Sequence, residues 1–201
     1  MEKATFVVLL GDSIFDNSHY VNPGQSVSDH LTRLLPRPMK FKLLAVDGSI
    51  TSQVLEQLGG MPKVATHVFV STGGNDALIA KFELFPQSDS KPHNALELLA
   101  KFQTAFRKDY SKLLTALKKL SLPVTVCTIY DAIPGLEAIH RTALSVFNDT
   151  IVLEATRRKF SVIDLRLLCG EATDYSTVSP IEPSEEGGCK IAKAIVERLR
   201  V

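Results

Sequence analysis

The sequence has no tryptophan and only three cysteines, Cys127, Cys169 and Cys189, among its 201 residues. Three scattered thiols with no C-x-x-C pair build neither a disulfide framework nor a zinc or dithiol centre, and they suit buried small side chains. Charge of one sign is also lacking: 23 basic and 22 acidic side chains leave a net +1. That balance gives no footprint for nucleic acid or an anionic membrane. No apolar run approaches the ~20 residues that span a bilayer. The run Phe6-Val7-Val8-Leu9-Leu10 is short for a signal-peptide core and passes straight into Gly11-Asp12-Ser13. The expectation is a cytoplasmic protein without stable membrane association, in which Asn148-Asp149-Thr150 matches the glycosylation pattern by chance. There is no P-loop and no G-x-G-x-x-G fingerprint, which argues against a nucleotide binder, and no metal or cofactor is expected. No G-x-S-x-G occurs either, so the α/β-hydrolase elbow is not supported.

What is present is globular: 45% hydrophobic and 22% charged residues in a length that suits a single domain over 1–201. Short, β-branched apolar runs at 5–10, 41–46, 67–72, 123–129 and 161–165 are punctuated by Gly, Pro or Asp and read as buried parallel strands. Helical patterns lie between them, near 26–35, 52–58, 95–120, 136–160 and 184–199. In the clearest, Leu96, Leu99, Phe102, Phe106, Tyr110, Leu113 and Leu117 recur every three or four residues, with lysines on the other face. Ser184 suits an N-cap, with Glu185 and Glu186 at the positive end of the last helix. The polar segment 85–92 reads as a surface loop rather than a linker. Alternating strands and helices imply right-handed crossovers and an α/β fold, a three-layer α/β/α sandwich.

In such a sheet the active crevice lies beyond the carboxyl ends of the strands. The chain places there Gly11-Asp12-Ser13, then Asp47-Gly48, then Gly73-Gly74-Asn75-Asp76, then Tyr130-Asp131. A tight turn after the first strand would lift the Ser13 hydroxyl above the sheet edge. The backbone N–H groups of Ser13 and Gly48 and the side-chain amide of Asn75 could then converge on one oxygen, as the donors of an oxyanion hole do in acyl transfer. Each residue alone has a structural explanation, as a cap or a turn. Their occurrence at three consecutive strand ends favours chemistry.

These three blocks, at these spacings, resemble those of the SGNH (GDSL) hydrolases, and the resemblance runs over about residues 5–199. It implies a flavodoxin-like five-stranded parallel sheet. It also implies hydrolysis of a small acyl or acetyl ester through an acyl-serine intermediate, without metal or cofactor. Ser13 would be the nucleophile, and Ser13, Gly48 and Asn75 the oxyanion hole.

The fourth block departs from the family pattern. Asp-x-x-His-Pro is expected before the last helix, and its flanks are present in Pro183-Ser184, Gly187-Gly188 and Lys190-Ile191-Ala192. In that register Ser179 stands at the aspartate position and Glu182 at the histidine position. The expectation is that Glu182 is an atypical base, its pKa raised by burial and by a second carboxylate, for which Asp131 and Asp174 are the candidates. His19, six residues after Ser13, is the reserve base. The alternative is that Glu182 caps the last helix or pairs with a surface base, leaving a catalytically degenerate binding protein for a carboxylate or acyl ligand. Phe15, Tyr20, Phe82, Phe85 and Tyr130 are expected on the crevice-bordering loops. Oligomeric state has no signature in the sequence.

Overall fold

A computed structural model describes residues 5–84 and 91–199. Five strands, β1 (Phe6–Gly11), β2 (Lys40–Leu43), β3 (His67–Ser71), β4 (Val124–Cys127) and β5 (Ser161–Ile163), form one parallel sheet in the order β2-β1-β3-β4-β5. This is the doubly wound, flavodoxin-like order, whose crossovers put helices on both faces. Side chains alternate across β1. Val7 and Leu9 pack with Leu31 of α1 (Val27–Leu34) and with Ile191 and Ile195 of α7 (Glu185–Arg198). Val8 and Leu10 face the other way, onto Val54 of α2 (Thr51–Gln57), Leu113 and Leu117 of α4 (Pro92–Lys119) and Ile151 of α5 (Ala138–Arg158). Each such side chain, removed entirely from water, contributes about 1.5–3 kcal/mol, and these two sets form the two interior layers. Ser184 is the N-cap of α7, accepting from the Gly187 N–H at 3.1 Å, with Glu185 and Glu186 in the first turn.

β2 and β4 end earlier than their apolar runs, as do β3 at Ser71 and β5 at Ile163. β2 stops at Leu43, because the Leu44 and Ala45 N–H groups both turn onto the Leu9 carbonyl and the Val46 N–H reaches Gly11. β4 stops at Cys127, where the backbone of Ile129 is taken by a side chain of α5. A helix absent from the sequence expectation, α3 (Gly74–Leu84), follows β3, and of its residues only Ala80 is buried. Its Gly-Asn-Asp opening reads as a turn, and its apolar residues form no single stripe. The long crossover helix α4 begins at Pro92, ahead of the expected 95, with proline in the first turn where its missing N–H costs nothing. A four-residue helix, α6 (Leu165–Leu168), follows β5. Residues 85–90 of the expected loop, Phe85 among them, lie outside the described residues. Among the described residues no helix is long and apolar enough to cross a membrane.

Candidate active site

The first strand end is built around Gly11. Its φ is +138°, and a Cβ there would collide with the carbonyl oxygen of Ser71 on β3, so only glycine fits. On its other side β2 has already turned away. Gln57, at the end of α2, stands in for the missing strand: Gly11 N–H donates to Gln57 Oε1 and Gln57 Nε2 donates to Gly11 O, both at 2.8 Å. Asp12 N–H bonds to Ser71 O, and the Phe15 and Asp16 N–H groups close onto Asp12 O. This tight turn fixes Ser13, which is only 5% exposed.

The donors follow at the next two strand ends. Gly48 sits in the turn after β2 with φ +76°, and a Cβ built on it would meet nothing within 4 Å, so its face is open. The turn is tied back to the first loop, with Asp47 N–H donating to Asp16 Oδ2 at 3.1 Å and Tyr20 Oη donating to Asp47 Oδ2 at 2.8 Å. At the head of α3, one N–H of the Asn75 amide donates to Ser49 O at 3.0 Å. That contact orients the amide and leaves its second N–H for another acceptor. Asp76 accepts from the N–H and Oγ1 of Thr51, joining α3 to α2.

Glu182 is 6% exposed and lines the same cavity as Ser13 and Asn75. Burial pushes its carboxyl up, Ser13 draws it down by hydrogen bonding to the charged form, and Asp47 pushes it up again, to about 7. Its Oε2 is buried without a hydrogen-bond partner among the described residues. A carboxylate poised near neutrality beside a serine has the basicity that proton transfer needs. Its backbone is held from every side. Glu182 O accepts from Ser176 N–H, and Glu182 N–H donates to Ser179 O. Tyr130 Oη donates to Ile181 O at 2.6 Å and Asn17 Nδ2 donates to Pro183 O at 3.2 Å. Asp12, 2% exposed, is pushed up to about 8, first by burial and then by repulsion from Glu182 and Asp76.

Several expectations change here. The second carboxylate acting on Glu182 is Asp47, not Asp131 or Asp174. Asp174 is fully buried against α7, where it pairs with Lys190 at 2.6 Å. Asp131 offers its backbone carbonyl to Arg141 Nε, and its charge acts on Arg166. Ser179 touches Glu182 only through the backbone turn already given. His19 is exposed on a 3-10 turn (Ser18–Tyr20), with no contact to Ser13 among the described residues. Glu182 does not cap α7, since Ser184 does. Phe15 is core and Phe82 is 71% exposed, while Tyr20 and Tyr130 do border the site. Among the described residues no His, Cys, Asp and Glu group could hold a metal ion.

Sequence reasoning missed Gln57, Asn148 and the role of Tyr130. Asn148, buried on α5, repeats the Gln57 device on β4: Ile129 N–H donates to its Oδ1 and its Nδ2 donates to Ile129 O, both at 2.8 Å. An amide pairing with a strand end across the fold has no local signature.

The chain is similar, over residues 7–193, to the family described as GDSL-like Lipase/Acylhydrolase. Among solved structures it resembles an extracellular lipase from Streptomyces rimosus, at 19% identity and TM-score 0.69 over 98% of this chain and 100% of that one. The lipase Lip_vut3 from a goat rumen metagenome is similar at 18% identity and TM-score 0.75, over 96% of both chains. The acetylxylan esterase Axe2 from Geobacillus stearothermophilus is similar at 14% identity and TM-score 0.68, over 100% of this chain and 97% of that one. At these identities the likeness to solved structures is one of fold. No curated protein matches the chain.

Proposed function

The chain belongs to the GDSL-like lipase/acylhydrolase family, and from that premise we propose that it hydrolyses acyl esters with Ser13 as nucleophile and Glu182 as base. The observation that carries this reading is the burial of Glu182 against Ser13, with its carboxyl at about 7. An ordinary carboxylate, near 4.3 in water, is far too weak a base for a serine hydroxyl. Desolvation narrows that gap while leaving a substantial ionised fraction at neutral pH.

Ser13 Oγ attacks the ester carbonyl carbon while its proton passes to Glu182. The carbonyl oxygen takes up the negative charge and is met by the Ser13 and Gly48 N–H groups and the free N–H of Asn75. Collapse breaks the bond to the alcohol oxygen, which leaves with the proton from Glu182, and Ser13 remains acylated. Water then repeats the sequence, giving its proton to Glu182 and releasing the carboxylic acid as Ser13 is reprotonated. The chain's own groups suffice for each step.

The test is turnover of p-nitrophenyl acetate together with covalent labelling by a fluorophosphonate, which requires a nucleophilic serine. The wild type should do both. Ser13→Ala, folded by circular dichroism, should lose labelling, and its turnover should fall by about 10³-fold or more. A wild type inert to both reagents would overturn the reading in favour of a binding protein.

A further inference from the structure

The open side of the site carries charge of one sign. Gly48, exposed in the turn after β2, is bordered by Asp47 and Asp16, which are linked where Asp47 N–H donates to Asp16 Oδ2 at 3.1 Å. Tyr20 completes the border, its hydroxyl donating to Asp47 Oδ2 at 2.8 Å. The Tyr20 phenol is pushed up to about 12, first by that bond, then by burial and by the charges of Asp47, Glu182 and Asp16. One side chain thus feels all three carboxylates. The ion pairs among the described residues engage other acids, namely Glu97, Asp109, Glu154, Asp164 and Asp174. His19, exposed beside Tyr20, forms none of those pairs. The basic side chains on the cavity wall, Lys81 of α3 and His140 of α5, belong to the crossovers after β3 and β4. Gly48 follows β2, on the other flank of β1.

A second observation points to a ligand independently of that cluster. Glu182, 6% exposed and on the cavity wall beside Ser13, leaves Oε2 without a hydrogen-bond partner among the described residues. A carboxylate buried in that way is costly until a counter-charge arrives. Among the described residues these carboxylates form no set that could hold a metal ion, so the counter-charge that suits them is an organic cation.

We propose that this side of the site takes the alcohol of the ester, and that the alcohol carries a positive charge, as an amino or quaternary ammonium alcohol does, selected by Asp47 and Asp16. This rests on the Ser13 hydrolase reading. Glu182 must reach the leaving oxygen to protonate it, so the alcohol lies on the Glu182 side of the carbonyl. Asp47 is the carboxylate whose charge acts on Glu182, so the departing alcohol emerges beside it. A positive charge about 4 Å from one carboxylate gains about fivefold in affinity even at the dielectric constant of water. A negative one loses as much. The Tyr20 ring, tied to Asp47, adds an aromatic face of the kind that attracts alkylated ammonium groups. A neutral, hydroxyl-rich alcohol finds acceptors here but leaves the charge unanswered.

The experiment holds the acyl group at acetyl and varies the alcohol, with kcat/KM read by titration of the released acid well above the pH at which Glu182 ionises. 2-(Trimethylammonio)ethyl acetate is cationic, 3,3-dimethylbutyl acetate is its neutral match in shape, and 2-sulfoethyl acetate is anionic. At low salt the wild type should prefer the cationic ester to the neutral one by about tenfold or more, with the anionic ester poorest. High salt should shrink that preference, as it does any exposed charge effect. Asp47→Asn and Asp16→Asn keep a hydrogen-bond acceptor and remove the charge. Each should cut the cationic-to-neutral ratio by about three- to fivefold, and the double variant should bring it near one. Reading the ratio within each variant cancels any change in the chemical step that both esters share. A wild type labelled by fluorophosphonate and active on the neutral ester, but with a ratio near one or unmoved by both substitutions, would overturn the cation subsite and spare the hydrolase. Binding of tetramethylammonium to Ser13→Ala, followed by NMR titration, reads the subsite without chemistry, and Asp47→Asn in that background should weaken it by about three- to fivefold. Such binding in a wild type inert to every ester would keep the subsite and overturn the hydrolase. Should Asp47→Asn fail to fold, Asp16→Asn carries the same comparison.

Discussion

The ends of β1 and β4 are finished by the same device and used for different purposes. At each, a side-chain amide from a helix pairs with both backbone groups of one residue, Gln57 with Gly11 and Asn148 with Ile129, and all four hydrogen bonds are 2.8 Å. At β1 the residue so held lies two positions before Ser13. At β4 it lies next to Tyr130, whose hydroxyl grips the carbonyl preceding Glu182. On the proposed mechanism, one clamp positions the nucleophile directly, and the other positions the base through an intermediary. The resemblance would set Ser179 where an aspartate orients a histidine; around Glu182 itself, the two flanking backbone carbonyls are held by Tyr130 and Asn17. The Glu182 carboxyl meets Ser13, and among the described residues its Oε2 has no hydrogen-bond partner.

The largest effect tests whether both clamps serve one reaction. Glu182→Gln keeps volume and hydrogen bonding but cannot take the serine proton. Turnover of p-nitrophenyl esters should fall by about 10²–10⁴-fold, the range that general base catalysis supplies. In the wild type kcat/KM should rise with pH through about 7, the value at which Glu182 loses its proton. Only the ionised form accepts the proton from Ser13, so the limb must be acidic, with activity lost as pH falls. A pH-independent rate between 5 and 9 would remove Glu182 from the role of base.

Breaking each clamp in turn should separate stability from activity. Gln57→Leu orphans the Gly11 N–H, whereas Gly11 O keeps the Val46 N–H. Among the described residues, Asn148→Leu orphans both backbone groups of Ile129. Each unsatisfied buried group costs about 1–3 kcal/mol, and each kcal/mol lowers Tm by about 2–4 °C at this size. Asn148→Leu should be the less stable variant by thermal denaturation. Gln57→Leu should be the less active one, because a shift of the Ser13 turn by about 1 Å costs on the order of 10²-fold. The opposite ranking in either measurement would refute the division of labour between the clamps.

How legible this was from sequence differs sharply between the parts of the site. The strands, the two-faced helices and the residues Ser13, Gly48 and Asn75 were readable because their signals are local: apolar runs, caps and glycine turns within a few positions. The place of Glu182 on the cavity that holds Ser13 was readable from its flanks, Pro183-Ser184 and Gly187-Gly188. Its electrostatic partner was not, because Asp47 reaches it across the sheet edge, while Asp174, nearer in sequence, is committed to Lys190. Gln57 and Asn148 lie 46 and 19 positions from their partners and carry no spacing rule. Helix α3 was missed because an opening of Gly, Asn and Asp reads as turn and its apolar residues form no single stripe.

The smallest expected effect belongs to Tyr130, and it isolates the positioning of the base from everything else. Tyr130→Phe removes one hydroxyl, whose bond to Ile181 O at 2.6 Å is its one hydrogen bond to the Glu182 segment among the described residues. The ring keeps its edge-on contact with Tyr175 and its place in the cavity wall, so packing is preserved. A hydrogen bond of this kind is worth about 0.5–1.5 kcal/mol, so kcat should fall by about two- to tenfold. KM should stay near its wild-type value, because the bond acts on Glu182 and not on the substrate. The acidic limb of the pH profile should move as well, since a loosened Glu182 admits water and its carboxyl relaxes downward from about 7 toward the ordinary carboxylate range. A merely structural tyrosine would lower Tm and leave that limb in place. Fluorophosphonate labelling followed with pH, in the wild type and in Tyr130→Phe, reads the limb at Ser13 itself, and coincident profiles would take Tyr130 out of the positioning of the base.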